Sequence, residues 1–386
     1  MKKVLIINTI GLNYEGITTV IFNYSSHICL NELKLEFVAF EGVDSELKKK
    51  FEKIGMVHEI PNRKKNLVGY IEKLRRILKH GYDVIHIHGN SGTMLIEVTL
   101  AKFAQIRKII IHSHSTKTDY PIANKVMSPL MNYFATDRLA CSKEAGEWLY
   151  GKKSFRVLNN AIETKKFVYN SDIRSKMRTK LDIRNKVLIG HIGHFSPPKN
   201  HFFLIEIFKE IYYKHPQTKL LLVSDGPFFE EVKKTVVELG LADVVIFTGR
   251  CEDTVSLYQA MDIFVLPSKW EGLPLVTVEA QAADLPILVS NVVPEIARCT
   301  ENIEFYSLEK SAGEWADKVW SMVEKRMMGR GKGNMLSNIV KCTMKDSTEL
   351  FRKIAGLTDR FSINVYININ VDTSEEVPDC IKEYVA

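Results

Sequence analysis

Two glutamates eight residues apart, Glu271 and Glu279, stand in the run PSKWEGLPLVTVEAQAADLP between Pro267 and Pro286. The residues before Pro267 read as a strand, the turn around Gly272 as a loop, and the residues from about Leu275 as a helix. Several backbone N–H groups then face the carboxyl edge of a sheet at the positive end of a helix, which suits a phosphate or diphosphate. Two carboxylates would repel such an anion, so they should address neutral parts of the same ligand, such as sugar hydroxyls. By spacing alone the pair reads equally well as a loop charge and a helix-surface residue.

A second constellation is GHIGHFSPPKNHFFLIEIF, residues 190–208. A strand over Val187–Ile192 leads through Gly193 into a loop with Lys199, and Asn200 is placed to cap the helix that follows. A lysine there would neutralise a leaving phosphate, although a lone loop lysine is usually only solvated. Ser224-Asp225-Gly226-Pro227 repeats the strand-to-loop pattern.

In the first half, IIIHSHST puts His112 and His114 at a strand's end and on one face. They form a possible metal pair, but no Asp, Glu or Cys lies near enough in sequence to complete a site. His114 reads better as a polar contact to substrate. His86 and His88, alternating in DVIHIHGN, read as buried and hydrogen-bonded. The loop NTIGLNYEGITTV holds Gly11 and Gly16 without the G-x-G-x-x-G fingerprint, so a nicotinamide cofactor is not expected.

Two series of short apolar runs separated by helical patterns must position these residues, the βαβ signature of parallel sheets. The first comprises Val4–Ile7, Leu35–Phe40, Val84–Ile87, Ile109–Ile111, Arg138–Ala140 and Arg156–Leu158. The second comprises Val187–Ile192, Leu220–Val223, Val244–Phe247, Ile263–Leu266 and Pro286–Ser290. Between runs of the first series, Leu67, Ile71, Leu74 and Leu78 fall at helical spacing. The expected division is 1–165 for a first Rossmann-like domain, 166–185 for a polar linker, 186–328 for a second such domain, 329–357 for a helical region and 358–386 for a tail. Ser347–Leu357 is the candidate terminal helix, and the tail alternates with period two from Phe361 to Asp372. Two α/β halves with a cleft between them favour ligand binding at the carboxyl ends of the strands.

The 386 residues are 45% apolar and 26% charged, values of an ordinary globular chain rather than a disordered or coiled-coil one. No run approaches the ~18 apolar residues of a membrane span. Val4–Ile7 is too short for a signal peptide and reads as a first strand. Six cysteines, with no Cys-x-x-Cys pair, read as reduced cytosolic thiols. The net charge of +7 is uneven, since residues 1–160 hold 24 Lys and Arg against 15 Asp and Glu, a net of +9. A basic half implies an anionic partner. Nucleic acid is not expected, because no basic patch interleaved with aromatics is present. The stretch PNRKKNLVGYIEKLRRILKHG suits an anionic membrane surface, and equally a solvated helix face.

In order and spacing, EGITTV, YDVIHIHG, IIHSHS, ACSKEAGEWLYG, VLNNAIETKKF, GHIGHFSPPKNH, VSDGP and FTGRCEDTVSLYQAMDIFVLPSKWEGLPLVTVEAQAADLPIL resemble the retaining glycosyltransferases of family 4, over roughly residues 1–325. The resemblance is strongest to the branch building bacterial capsular and exopolysaccharides. It implies the GT-B fold, two Rossmann-like domains facing across a cleft. It also implies a nucleotide-sugar donor, by preference UDP-linked, in the C-terminal domain and a lipid-linked saccharide acceptor at the N-terminal one. Lys199 and the backbone of Gly272 and Leu273 would hold the diphosphate, Glu271 the transferred sugar and Glu279 the ribose. Gly16 would admit the diphosphate closely, and His114 would support the transition state. No metal and no cofactor beyond the sugar nucleotide are implied. The expected location is the cytoplasm, or the inner face of the cell membrane.

Three features depart from the family pattern. His194 stands where an arginine usually grips the diphosphate, and an imidazole is fully charged only when protonated. Asp284 replaces a common glycine, and Asp tolerates a left-handed conformation there. The alternating tail matches nothing in the family. A GT-B nucleotide-sugar epimerase and a catalytically weak homologue acting as a binding protein are the rival readings.

Overall fold

The structure is a computed structural model that describes residues 1–28, 33–183, 185–251 and 253–327. The expected helix Ser347–Leu357 and the alternating tail lie outside the described residues. The described residues divide into two compact units, 1–162 and 163–327.

The first unit is built on seven strands: β1 (Lys2–Asn8), β2 (Leu33–Phe40), β3 (Met56–Ile60), β4 (Val84–Gly89), β5 (Lys108–Ser113), β6 (Asp137–Ala140) and β7 (Arg156–Val157). They pair in the order β3-β2-β1-β4-β5-β6-β7, and every pairing is parallel. Central strands β1 and β4 are almost entirely buried, as a sheet covered by helices on both faces requires. Strand β3 was not expected from its sequence, MVHEI. It is an edge strand, so His58 and Glu59 sit on it without leaving a buried apolar run. The helix Leu67–Leu78 buries Tyr70, Leu74, Ile77 and Leu78, while Leu67, expected on the inward stripe, is exposed.

The second unit has six strands: β8 (Val187–Ile192), β9 (Thr218–Val223), β10 (Val245–Phe247), β11 (Ile263–Leu266), β12 (Ile287–Ser290) and β13 (Ile303–Tyr306). Their order is β10-β9-β8-β11-β12-β13, again all parallel. The core under one face gathers Phe195, Phe208, Leu220, Leu222, Ile263 and Trp315. Trp315, on the helix Ala312–Met327, is fully buried and meets Phe203 and Tyr306 edge to face.

The stretch 166–185, read as a linker, is built into the second unit. Its helix Ser171–Lys180 is capped by Asn170, whose side chain accepts from the Asp172 and Ile173 amides. Arg174 donates to the carbonyls of Gln259, Ala260 and Met261 and pairs with Asp262. Arg178 reaches the same carboxylate at 3.0 Å, and Asp262 also accepts from the Leu188 amide at 2.7 Å. The charge that made this stretch look like a linker thus fastens it to the starts of β8 and β11. One aspartate shared by two arginines and a backbone amide is the kind of partly buried network that is costly to break.

In each sheet the chain reverses its winding direction beside a central strand, between β1 and β4 in the first and between β8 and β11 in the second. Open parallel sheets bind ligands outside the carboxyl ends of strands at such points.

Candidate active site

Lys199 and Glu271 meet at the switch point of the second unit. Lys199 Nζ lies 2.6 Å from Glu271 Oε1, and Ser268 Oγ donates to the same oxygen at 2.7 Å. Both charged side chains are largely shielded from solvent. The loops that carry them are pinned together. Asn200 donates from Nδ2 to the Pro267 carbonyl at 3.0 Å, the Lys269 amide donates to Pro198 at 2.7 Å, and Ser290 Oγ donates to the Ser268 carbonyl at 2.6 Å.

Asn200 was expected to cap the next helix with its side chain. It occupies that position but with a left-handed backbone (φ 58°) and no side-chain cap, because its amide is committed to the end of β11. Gly193 is needed for close approach: a Cβ there would lie 3.2 Å from Lys199 Cδ and 3.0 Å from His191 Nε2.

Gly272 and Leu273 are buried just ahead of the helix Leu275–Ala282, whose first turn has no acidic residue and no side-chain cap. Its amino end therefore keeps its positive character. Glu279 projects from this helix and accepts from Tyr258 Oη at 2.8 Å. Burial pushes its carboxyl up to about 7, against the pull of the Tyr258 hydrogen bond. His194, after β8, lies 3.8 Å from Asp225, whose other oxygen pairs with Arg250 at 2.5 Å. Sequence reading did not single out Tyr258, Ser268, Asp225 or Arg250. Tyr258, Asp225 and Arg250 are distant in sequence from the groups they touch, and Ser268, three residues from Glu271, has no special spacing.

Asp284 has φ +56°, the left-handed conformation expected for it, and its carboxylate accepts from Asn302 Nδ2 at 3.0 Å.

Of the two site residues expected in the first unit, Gly16 follows β1 at the switch point and His114 follows β5, the strand beside β4. Gly16 is the first residue of the helix Gly16–His27 after β1, and a Cβ there would meet nothing within 4 Å. Parallel pairing sets His88 directly beside His112, so His86, His88, His112 and His114 form one cluster on a single face. His88 Nδ1 and His114 Nε2 are 2.9 Å apart, while Nδ1 of His114 is buried without a hydrogen-bond partner among the described residues. Burial drives all four pKa values well below the ordinary histidine value, to about 3 for His86 and His114. His114 is therefore a neutral hydrogen-bonding group rather than an acid.

Ring nitrogens of His86, His88 and His112 lie within 4.8 Å of one another. They are the described residues that could hold a metal ion, in the neutral form that ligation needs. Common ligation at a Zn–N distance of about 2 Å would require the rings to draw together.

Two parallel-sheet units of this topology have the architecture of the GT-B fold, and the second carries a cation-carboxylate pair beside an uncapped helix. Residues 173–333 match the family described as glycosyl transferases group 1. That match falls on the second unit and agrees with the resemblance to family 4. The chain is 26% identical over 326 residues to a putative glycosyltransferase, EpsF, of Bacillus subtilis, covering 80% of this chain and 85% of that one. Over 245 residues it is 26% identical to an Escherichia coli enzyme, UDP-Gal:alpha-D-GlcNAc-diphosphoundecaprenol alpha-1,3-galactosyltransferase, covering 59% and 62%. Among solved structures it resembles Anabaena HepE in complex with UDP-glucose, with a TM-score of 0.78, 19% identity and coverage of 93% of this chain and 100% of HepE.

Proposed function

We propose that the protein transfers a hexose or N-acetylhexosamine from a UDP-sugar to a lipid-linked saccharide in capsular or exopolysaccharide assembly, with retention of anomeric configuration. The observation that carries this reading is the Lys199–Glu271 pair beside the uncapped start of the helix Leu275–Ala282. Support for the donor and acceptor classes comes from the names of the E. coli relative and of the HepE complex.

In this reading Lys199 and the amides of Gly272 and Leu273 hold the donor diphosphate, while Gly16 leaves room beside it. Glu271 accepts from hydroxyls of the transferred sugar, and Glu279, when ionised, from the ribose. The bond from the anomeric carbon to the diphosphate oxygen breaks, and the acceptor hydroxyl oxygen bonds to that carbon on the same face. Its proton passes to the departing phosphate oxygen. Negative charge grows on the diphosphate as the bond breaks, so fixed donors aimed there stabilise the transition state more than the ground state. Lys199 and the helix end supply the charge that a cation would otherwise provide, so no metal or other cofactor takes part. His114 offers a neutral ring nitrogen to the sugar. Among the described residues no helix is long and apolar enough to cross a membrane. In this reading the enzyme works in the cytoplasm, against the inner face of the cell membrane.

The test is transfer from a panel of nucleotide sugars to a lipid-diphosphate-linked saccharide, with EDTA present and the product's anomeric configuration read by NMR. Acceptor-dependent, EDTA-resistant transfer with retention is expected. Donor turnover without acceptor would favour the epimerase reading, which the comparisons do not support. Absence of turnover with tight nucleotide binding would favour a binding protein.

A further inference from the structure

The helix Pro121–Phe134 in the first unit carries polar residues on its inner side and an exposed apolar stripe on its outer side. Its polar residues face inward: Asn124 accepts from the Gly92 amide at 2.7 Å, Ser128 donates to Asn124 at 2.9 Å, and buried Asn132 accepts from Arg138 Nε at 3.0 Å. These positions recur every four residues and so share one side of the helix. Met131 is buried beside them, while Ile122 (81% exposed), Val126 (71%), Tyr133 (80%) and Leu130 form an apolar stripe on the other side. A helix on a water-soluble surface normally buries that stripe.

Leu67 and Val68, at the start of the helix Leu67–Leu78, are exposed as well. The ammonium of Lys64 lies 5.7 Å from the centre of the Tyr120 ring. Lys64, Lys65, Lys117 and Lys125 are exposed around the stripe, with Asp119 as the acid among them.

We propose that this face docks on an anionic lipid bilayer, the apolar stripe lying at the boundary of headgroups and acyl chains and the four lysines meeting lipid phosphates. Charge selects the lipid over a second copy of the chain. A twofold contact would set the same patch against itself and bring like-charged lysines together, whereas an anionic leaflet complements them. The apolar side chains add what a basic helix face alone lacks, an attachment that salt does not fully release. The proposed lipid-linked acceptor would be met on the same surface, but the docking is tested without any acceptor.

The full-length protein is sedimented with vesicles of phosphatidylcholine alone or mixed with phosphatidylglycerol, both free of saccharide. Binding is expected to both, tighter to the anionic mixture. Ile122→Glu with Val126→Glu should lower partitioning to both by about tenfold or more for each side chain. Replacing the four lysines with glutamine should weaken binding to the anionic vesicles alone, by about fivefold per lysine. Tyr133→Trp should give emission that shifts to the blue when vesicles are added. Nucleotide-sugar binding by calorimetry should be unchanged in every variant, which separates docking from folding and from the donor site. Undiminished vesicle binding by the double glutamate variant would overturn the proposal. A wild-type dimer dispersed by Ile122→Glu, without vesicle binding, would overturn it in favour of a contact between copies.

Discussion

The two switch points carry opposite chemistry on the same topology. In the second unit a lysine and a glutamate face each other across the ends of β8 and β11, with an uncapped helix beside them. In the first unit the ends of β4 and β5 carry four buried imidazoles that burial keeps neutral. Net charge runs the other way, +9 for residues 1–160 and near neutrality for the rest. Anion binding in a parallel-sheet unit therefore depends on a few donors fixed at one strand edge, while bulk charge spreads over a surface and acts on larger partners.

That contrast breaks most readily at Lys199. Lys199→Ala should lower kcat by about 10³-fold, because one fixed donor on a developing oxyanion is worth that much. Glu271→Ala should cost a similar factor, and the double variant far less than the product of the two, since the pair shares one contact. Additive losses in single-turnover rates would show that the two act independently. Neutral His114 should behave otherwise. His114→Ala should lower kcat by about 10²-fold with no change in the pH profile, and a lost titration limb would refute its neutrality.

Glu279 gives a smaller, directional effect. Its carboxyl is pushed up to about 7, so the folded chain holds a proton there that the unfolded chain releases near the ordinary carboxyl value. This contribution to stability is complete below about 4.5 and is lost as the pH rises through about 7. Ribose binding needs the ionised form, so affinity for a nucleotide sugar should rise up to about tenfold between pH 6 and pH 8. Glu279→Gln should flatten that rise, and an unchanged profile by calorimetry would remove the ribose role. In the Glu279→Gln background, His194→Arg should tighten nucleotide-sugar binding several-fold, because a guanidinium grips a diphosphate through a bidentate fork that an imidazole lacks. Equal affinities with His and Arg would sink that role.

The smallest effect belongs to Asp284. Asp284→Gly relieves the left-handed backbone but gives up the Asn302 hydrogen bond, so the urea midpoint should shift by less than about 1 kcal/mol equivalent. Asp284→Ala loses the bond while keeping the strain, and should cost about 2 kcal/mol. Equal midpoints for the two variants would mean that backbone strain there is negligible.

Much of the fold was legible because buried parallel strands are continuous apolar runs, as in Val187–Ile192 and Ile263–Leu266. The edge strands β3 and β13 were not, since MVHEI and IEFY mix polar residues into partly exposed positions. Lys199, Glu271 and Glu279 were legible from glycine, proline and strand-to-loop context. Their partners were not: Ser268 is close in sequence to Glu271 but has no special spacing, and Tyr258 reaches Glu279 across 21 residues. The histidines show the same limit. His112 and His114 could be placed on one face, but their meeting with His86 and His88 depends on β4 pairing with β5.

The sequence by itself determined two parallel-sheet halves, the turn-and-helix positions suited to a diphosphate, and the basic bias of the first half. Periodicity, turn chemistry and charge are local or additive properties, readable along the chain. The tertiary structure alone decided that Lys199 meets Glu271, that four imidazoles share one buried cluster, and that the helix Pro121–Phe134 turns its polar side inward. Those outcomes depend on which strands become neighbours and what each helix packs against, and a linear pattern does not encode them one residue at a time.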